Sequence, residues 1–425
     1  MISIYSAIIT NRLIYVTDFV FNEILGVPFK LTSDVSELSN VVINYSSNNL
    51  DSLNYQINPS GLLFENSIGE VISNGEGEET KFFSTENDDH GFDVFSASFF
   101  HLSRMEEYNF TSCDQFNRFP ADQSCIVKAN LHVKPLIDNW ALELLNSINQ
   151  KFNVNYKMSR EFNQYCTFDI DNAYAFKHKG FFRFCGSLFR DLLLLDKSKI
   201  TQRINIFTAN ASDPYDNYQY IFNYCKSHQL QQIYFFLLGD YGENDKNISH
   251  KHPALKQLIK ETSKISQVGI HPSFNSFQNR EQINREVLRL KSILGQEIHL
   301  SRFHFLRFSL PSSYNHLLAA GITHDYSMGF VDRVGFRAGT CTPFYFYDLE
   351  NDVKTDLKVV PFAYMDGALR DYQKKSIEEA KVQIKEVKRL VQEVKGQFTS
   401  IWHNESLSDQ DRWKGWREVF ESTWD

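Results

Sequence analysis

The sequence predicts a parallel α/β fold, a sheet or barrel preceded by a smaller α/β domain, and three observations carry the prediction. From residue 165 onward, short apolar strands alternate with amphipathic helices, the grammar of a parallel sheet. Two of the helical stretches carry a single apolar stripe and stop at a glycine. Histidines and acids fall where the strands end, the edge at which parallel α/β folds collect their ligands.

Taken in order, residues 2–10 read as a strand and 13–21 as the start of a helix. Residues 40–46 and 61–64 read as short strands, and the acidic, Gly-rich stretch 74–89 as an exposed loop. Residues 92–108 form an apolar helix with a charged end, Arg104, Glu106 and Glu107, that either caps the helix or covers a site. Over 135–152, Leu136, Trp140, Leu142, Leu145 and Ile148 recur at helical spacing. This first unit spans residues 1–155 and a second spans 156–425. The second carries candidate strands at 165–170, 204–208, 233–238, 268–270, 301–308 and 398–402. Its helix 280–294 aligns Ile283, Val287, Leu290 and Leu294 and ends at Gly295. Helix 374–395 repeats the pattern from Ile377 to Val394 before Gly396. Ser408 caps a last helix with Trp413, Trp416 and Phe420 on one stripe and Asp411 at its third position.

Composition narrows the function. The 425 residues are 42% hydrophobic and 15% aromatic, enough for large cores, and the formal charge of -8 argues against a nucleic-acid surface. The six cysteines contain no Cys-x-x-Cys pair, which suits a reducing compartment rather than a disulfide framework or zinc knuckle. Met1 to Ser6 lack a basic segment, and Asn11, Arg12 and Asp18 interrupt the apolar residues that follow. The expectation is therefore no signal peptide, no membrane span and a cytoplasmic location.

The chemistry centres on Thr167-Phe168-Asp169-Ile170-Asp171. Side chains two apart in a strand share a face, so Thr167, Asp169 and Asp171 point one way. Two such acids cannot both stay ionised in a dry site unless a cation or arginine offsets them. A metal site with a proton-transfer carboxylate beside it satisfies that demand; ion pairing with nearby arginines is the structural alternative. His271 closes the apolar run 267–270, and Asn275 follows four residues later as a poor potential ligand. Alternation over 301–307 places Arg302 and His304 on one face, with Arg302 able to hold an aspartate ionised. His304 is a ligand or a substrate contact. The Gly-punctuated stretch 321–339, with Asp325, Arg333 and Arg337, reads as a functional loop or a solvated connection. His403 closes the apolar run 398–402.

In this order, these motifs over residues 160–425 resemble the polysaccharide deacetylase family (NodB homology domain, carbohydrate esterase family four). The resemblance implies a deformed (β/α) barrel and a divalent metal, zinc by preference. It implies Asp169 as general base, Asp171 and His271 as metal ligands, Arg302 as partner of the base and His403 as general acid. Three departures stand out: Ile170 splits the usual adjacent aspartates, Asn275 replaces a second histidine, and His304 stands where a proline is common. The third ligand is therefore open between His304 and Asn275. The residues before 155 resemble an uncharacterised domain that accompanies such deacetylase-like domains in bacteria. The implied activity is metal-dependent removal of an acetyl group from an N- or O-acetylated sugar or glycan precursor. The alternative is a non-catalytic glycan-binding or assembly protein on the same fold. The chemistry suits the residues: a metal lowers the pKa of bound water to about 7, a carboxylate takes the water's proton, and an acid protonates the leaving amine.

Overall fold

The computed structural model describes residues 1–48, 50, 53–65, 73–74, 81–108, 110, 112–194, 197–208 and 211–424. The first part holds a four-stranded parallel sheet, ordered β2-β1-β3-β4, of β1 (Ile2–Tyr5), β2 (Phe29–Thr32), β3 (Val42–Asn44) and β4 (Tyr55–Gln56). Thr10 caps α1 (Asn11–Asp18) by accepting from the Leu13 N–H at 3.2 Å. That helix continues as a π-helical segment, Phe19–Leu25, and ends at Gly26, whose φ of 60° suits a residue without Cβ. A two-stranded antiparallel ribbon pairs β5 (Ser73–Asn74) with β6 (Lys81–Phe82). The expected loop over 74–89 thus meets ordered pairing at Asn74 and Lys81, while its residues 75–80 lie outside the described set. Residues 62–64 form a 3-10 turn rather than a strand, because Gly61 enters with φ 105°. Helices α2 (Val94–Leu102), α3 (Cys125–Lys128) and α4 (Leu136–Phe152) complete this part.

The second part is built on a nine-stranded sheet ordered β12-β13-β11-β10-β9-β8-β7-β15-β14. Its strands are β7 (Asn163–Ile170), β8 (Gln231–Leu237), β9 (Gln267–His271), β10 (Leu300–Ser301), β11 (His324–Asp325), β12 (Phe344–Asp348), β13 (Val353–Val359), β14 (Tyr364–Met365) and β15 (Gln397–His403). Every neighbouring pair is parallel except the β12–β13 hairpin. Phe168, Ile170, Tyr234, Phe236 and Trp402 are fully buried on one face of the central strands, and Phe235 and Ile401 on the other. Around the sheet lie α5 (Phe181–Leu193), α6 (Lys197–Thr208), α7 (Tyr218–Ser227), α8 (Pro253–Thr262), α9 (Arg280–Leu294), α10 (Ser312–Ala319), α11 (Ile377–Glu393) and α12 (Trp416–Trp424). A reciprocal Ser376–Glu379 capping box starts α11.

Four further expectations need correction. Residues 204–208 belong to α6, where the alternation of Ile204 and Ile206 is accidental within a helix packed on α5. The strand expected over 301–308 ends at Ser301, because Phe305 (φ 60°) and Leu306 (φ 50°) turn the chain left-handed. The last helix begins at Trp416: Ser408 ends a 3-10 turn, and a second one, Asp411–Trp413, and Gly415 (φ 84°) separate it from the helix. The stretch 321–339 is a largely buried connection: Asp325 is fully buried and accepts from the hydroxyls of Ser301 and Ser327.

One hydrophobic core runs from Ile2 to Trp424 and joins both parts. Polar contacts pin the same junction. Arg12 Nε meets Asp352 Oδ1 at 2.8 Å, and Asp138 accepts from Thr340 and the Cys341 N–H. Arg104 and Arg337 converge on Glu107, with Arg104 Nε and Arg337 Nε each 2.7 Å from Oε1. The charged end of the 92–108 stretch therefore covers no site; it clamps the first part to the 321–339 connection. No helix among the described residues is long and apolar enough to cross a membrane.

Candidate metal centre

Sheet topology brings the strand ends together. Asp169 lies in β7, Asp171 one residue past it, His271 ends β9 and His403 ends β15. Arg302 and Asp366 follow β10 and β14 immediately. All lie at the C-terminal edge of the parallel strands.

Asp171 is the focus. Its Oδ1 lies 3.1 Å from His271 Nε2, and its Oδ2 lies 3.3 Å from His304 Nε2 and 3.6 Å from His403 Nε2. The hydrogen bonds on the far side of each ring fix the tautomers. His271 Nδ1 is 2.5 Å from the Arg302 carbonyl, which can only accept, so Nδ1 carries the proton. His304 Nδ1 likewise faces Asp245 Oδ1 at 2.9 Å. Both Nε2 atoms are left aimed at Asp171, the arrangement of a ligating histidine braced by an outer acceptor. Asp171, His271 and His304 offer donor atoms within 4.8 Å of one another. Asp171 Oδ1 is a buried oxygen with no hydrogen bond, and a cation would give it a partner. Two imidazoles and a carboxylate fit a zinc-class ion with a coordination position left over.

Electrostatics agrees. Burial alone would raise the Asp171 carboxyl, but His304 and then His403 hold it well below the usual range. Burial would lower His304, yet Asp171 and Asp245 push it up to about 9. His304 Nε2 thus also carries a proton at neutral pH, which a cation binding there would have to displace.

Asp169 sits in a different setting. Arg302 Nη1 donates to its Oδ1 at 2.8 Å, Arg302 Nη2 to Thr167 Oγ1 at 2.7 Å, and Arg302 Nε to the Tyr326 carbonyl at 2.9 Å. Arg302 is fully buried, with its guanidinium 4.5 Å from the centre of the Phe235 ring. That anchoring fixes one carboxylate oxygen, while Oδ2 lies 3.9 Å from His271 Nε2. His403 Nδ1 is 2.8 Å from Asp366 Oδ1, and Asp366 Oδ2 accepts from the His403 N–H at 2.8 Å and from the Ser406 hydroxyl. Burial would lower His403, but Asp366 and Asp171 raise it to about 10.

The six residues Asp169, Asp171, His271, Arg302, His304 and His403 therefore converge, all but Arg302 lining a cleft of about 210 Å³. Asn275 does not join them: it is exposed on the turn Phe274–Ser276 and does not line that cleft. Sequence reasoning missed three contributors. Asp245 and Asp366 are single acids in loops after β8 and β14, with no motif of their own. Arg118 comes from the first part, lines the cleft and donates from Nη1 to the Phe305 carbonyl at 2.8 Å, bracing the left-handed turn after His304.

A family of unknown function, DUF7033, matches residues 2–153. No curated protein matches the chain. Similar solved structures include one assigned as a polysaccharide deacetylase from Mycobacterium smegmatis, at 11% identity over 63% of this chain and 85% of that one, with a TM-score of 0.39. The polysaccharide deacetylase Bc1974 from Bacillus cereus aligns at 14% identity over 62% and 86%, with a TM-score of 0.30. IcaB from Ammonifex degensii aligns at 14% identity over 40% and 84%, with a TM-score of 0.23.

Proposed function

We propose that this protein is a metal-dependent deacetylase of an acetylated sugar, built on a deformed barrel of the polysaccharide deacetylase type. The observation that carries this reading is the convergence on Asp171 of two tautomer-fixed histidines, beside an arginine-held aspartate and a carboxylate-held histidine. A zinc-class cation held by Asp171, His271 and His304 would supply Lewis acidity and lower the pKa of water at the cleft. Asp169 is the general base: the hydrogen bond from Arg302 orients it, so it accepts the proton of the attacking water. His403 is the general acid. Held cationic by Asp366, it donates from Nε2 to the leaving nitrogen, which departs poorly without a proton. Residues 1–155 act as a brace, with Arg118 holding the turn that positions His304.

The test is acetate release from N-acetylglucosamine oligomers by zinc-loaded protein. Wild type should release acetate, and Asp169→Asn should lose about 10²–10⁴-fold of the rate while keeping its metal. Zinc-loaded wild type that binds the oligomer without releasing acetate would favour a glycan-binding protein.

A further inference from the structure

The helical pair α5 and α6 carries two unlike sets of side chains. Between Lys177 and Arg203 the sequence holds seven lysines and arginines against two aspartates, in a chain of net charge -8. Toward the body of the protein the pair helps wall a cavity of about 660 Å³. Its lining among the described residues includes Lys179, Arg183, Lys199, Arg203, Lys246 and Arg412 together with Glu405 and Asp411. Several cations are held in place. Arg183 donates to the carbonyls of Asn247 and Lys246, and its guanidinium lies 4.2 Å from the centre of the Tyr241 ring. Arg203 lies 4.8 Å from the Phe176 ring centre. Burial and, after it, the Arg183 charge lower Lys179 to about 8. This cavity adjoins the metal centre: Glu405, Arg412 and Trp413 line both, and Asn172 on its wall follows Asp171.

The pair also exposes large apolar side chains. Phe189, Leu192, Leu193, Leu194, Ile204 and Phe207 are each 50 to 70% exposed. Five large exposed apolar side chains on the helical pair, with Leu194 just past α5, are of the kind that marks an interaction surface. Exposed apolar residues flanked by basic residues are the pattern of helices that lie in a membrane interface. The same basic flank complements anionic lipid head groups.

We propose that α5 and α6 seat this protein on an anionic membrane surface and that the adjoining basic cavity takes the phosphate of a lipid-carried glycan. The glycan rests on the deacetylase reading; the membrane seat and the phosphate site do not. Leu192, Leu193 and Leu194 enter the acyl boundary while Lys179, Arg183 and Arg203 close on the head-group phosphate. The sugar attached to that phosphate then reaches toward Asp171 and His403 past Glu405 and Trp413.

The experiment is flotation of the full chain with vesicles of phosphatidylcholine alone and of an equimolar mixture with phosphatidylglycerol. It needs neither metal nor activity, so its outcome is independent of the deacetylase assay. Wild type should float with the mixed vesicles and not with the neutral ones. The exposed changes Leu193→Ser and Leu194→Ser together should weaken binding by at least about tenfold, and Lys199→Glu with Lys246→Glu should weaken it and reduce its salt dependence. Wild type that floats with neither vesicle overturns the proposal. So does a dimer that the two leucine changes dissolve without vesicle binding, which would assign the patch to a second copy. Titration with uridine diphosphate supplies the other arm: tight binding there by a protein that ignores vesicles would assign the cavity to a soluble nucleotide and overturn the lipid.

Discussion

Two clusters of buried charge lie within this molecule, and they are built to opposite ends. Arg104, Glu106, Glu107 and Arg337 form a closed set. Arg104 bridges both glutamates at 2.7 Å, Arg337 Nη2 meets Glu107 Oε2 at 2.5 Å, and Ser124 and the Cys125 N–H take up Glu106. The Asp171 cluster is open: it keeps an oxygen without a hydrogen bond, two imidazole nitrogens aimed at that carboxylate, and a cleft in front. Both concentrate charge among buried residues, although Asp171 keeps 34% of its side chain exposed. The first spends its polar groups on one another and joins two parts of the chain; the second holds groups back for a ligand.

The largest expected effect breaks the closed cluster. Burial would raise Glu107, but Arg337 and then Arg104 hold it below the usual range. Glu107→Ala leaves the buried Arg337 guanidinium without its carboxylate and Arg104 with Glu106 alone, and should cost about 3–5 kcal/mol in urea unfolding. Metal affinity of the folded fraction should not change. Loss of metal with no loss of stability would merge the two clusters into one and end the contrast.

The second prediction separates the ligand from its support. Asp245→Asn keeps an acceptor near His304 Nδ1 but removes the charge, and should weaken zinc binding by about 10–100-fold, measured by competition with a chelator. The pH dependence follows from His304. Its proton must leave before a cation binds, so affinity should climb as pH rises toward about 9 and level off above it. Affinity flat between pH 6 and 9 would contradict His304 as a ligand.

A smaller effect concerns His101, which packs beside the closed cluster with neither ring nitrogen hydrogen-bonded. Burial, with a smaller push from Arg104, lowers it to about 3. The unfolded chain takes up that proton near pH 6.5 and the native state does not, so stability falls as pH drops below 6.5. His101→Phe keeps the contacts with Phe82 and Trp140 and should recover up to about 2 kcal/mol at pH 5, with no gain at pH 8. An equal gain at both pH values would point to packing rather than charge.

These contrasts also explain what the sequence revealed. Asp169, Asp171, His271 and His403 were legible because apolar strands announce their own ends, and the sheet gathers those ends at one edge. The helices 280–294 and 136–152 were legible from their stripes. Residues 204–208 were not, because two isoleucines alternate equally well on a short strand and on a half-exposed helix. The 301–308 stretch misled for another reason. Its alternation is real, but the left-handed Phe305 and Leu306 depend on Arg118, 187 residues away from Phe305. Asp245 and Asp366 act only through the histidines they face, a relation fixed by tertiary packing and silent in local pattern. The closed cluster was visible as charges at 104–107, but their partner Arg337 lies 230 residues from Glu107.

The central claim is that Asp171, His271 and His304 form a metal centre and that Asn275 stands outside it. Metal content of the purified protein by mass spectrometry, compared among wild type, His304→Ala and Asn275→Ala, tests it most directly. Near-stoichiometric zinc-class metal is expected in wild type and in Asn275→Ala, with its loss in His304→Ala. Metal that survives His304→Ala and disappears in Asn275→Ala, or wild type that takes up none after reconstitution with zinc, would contradict it.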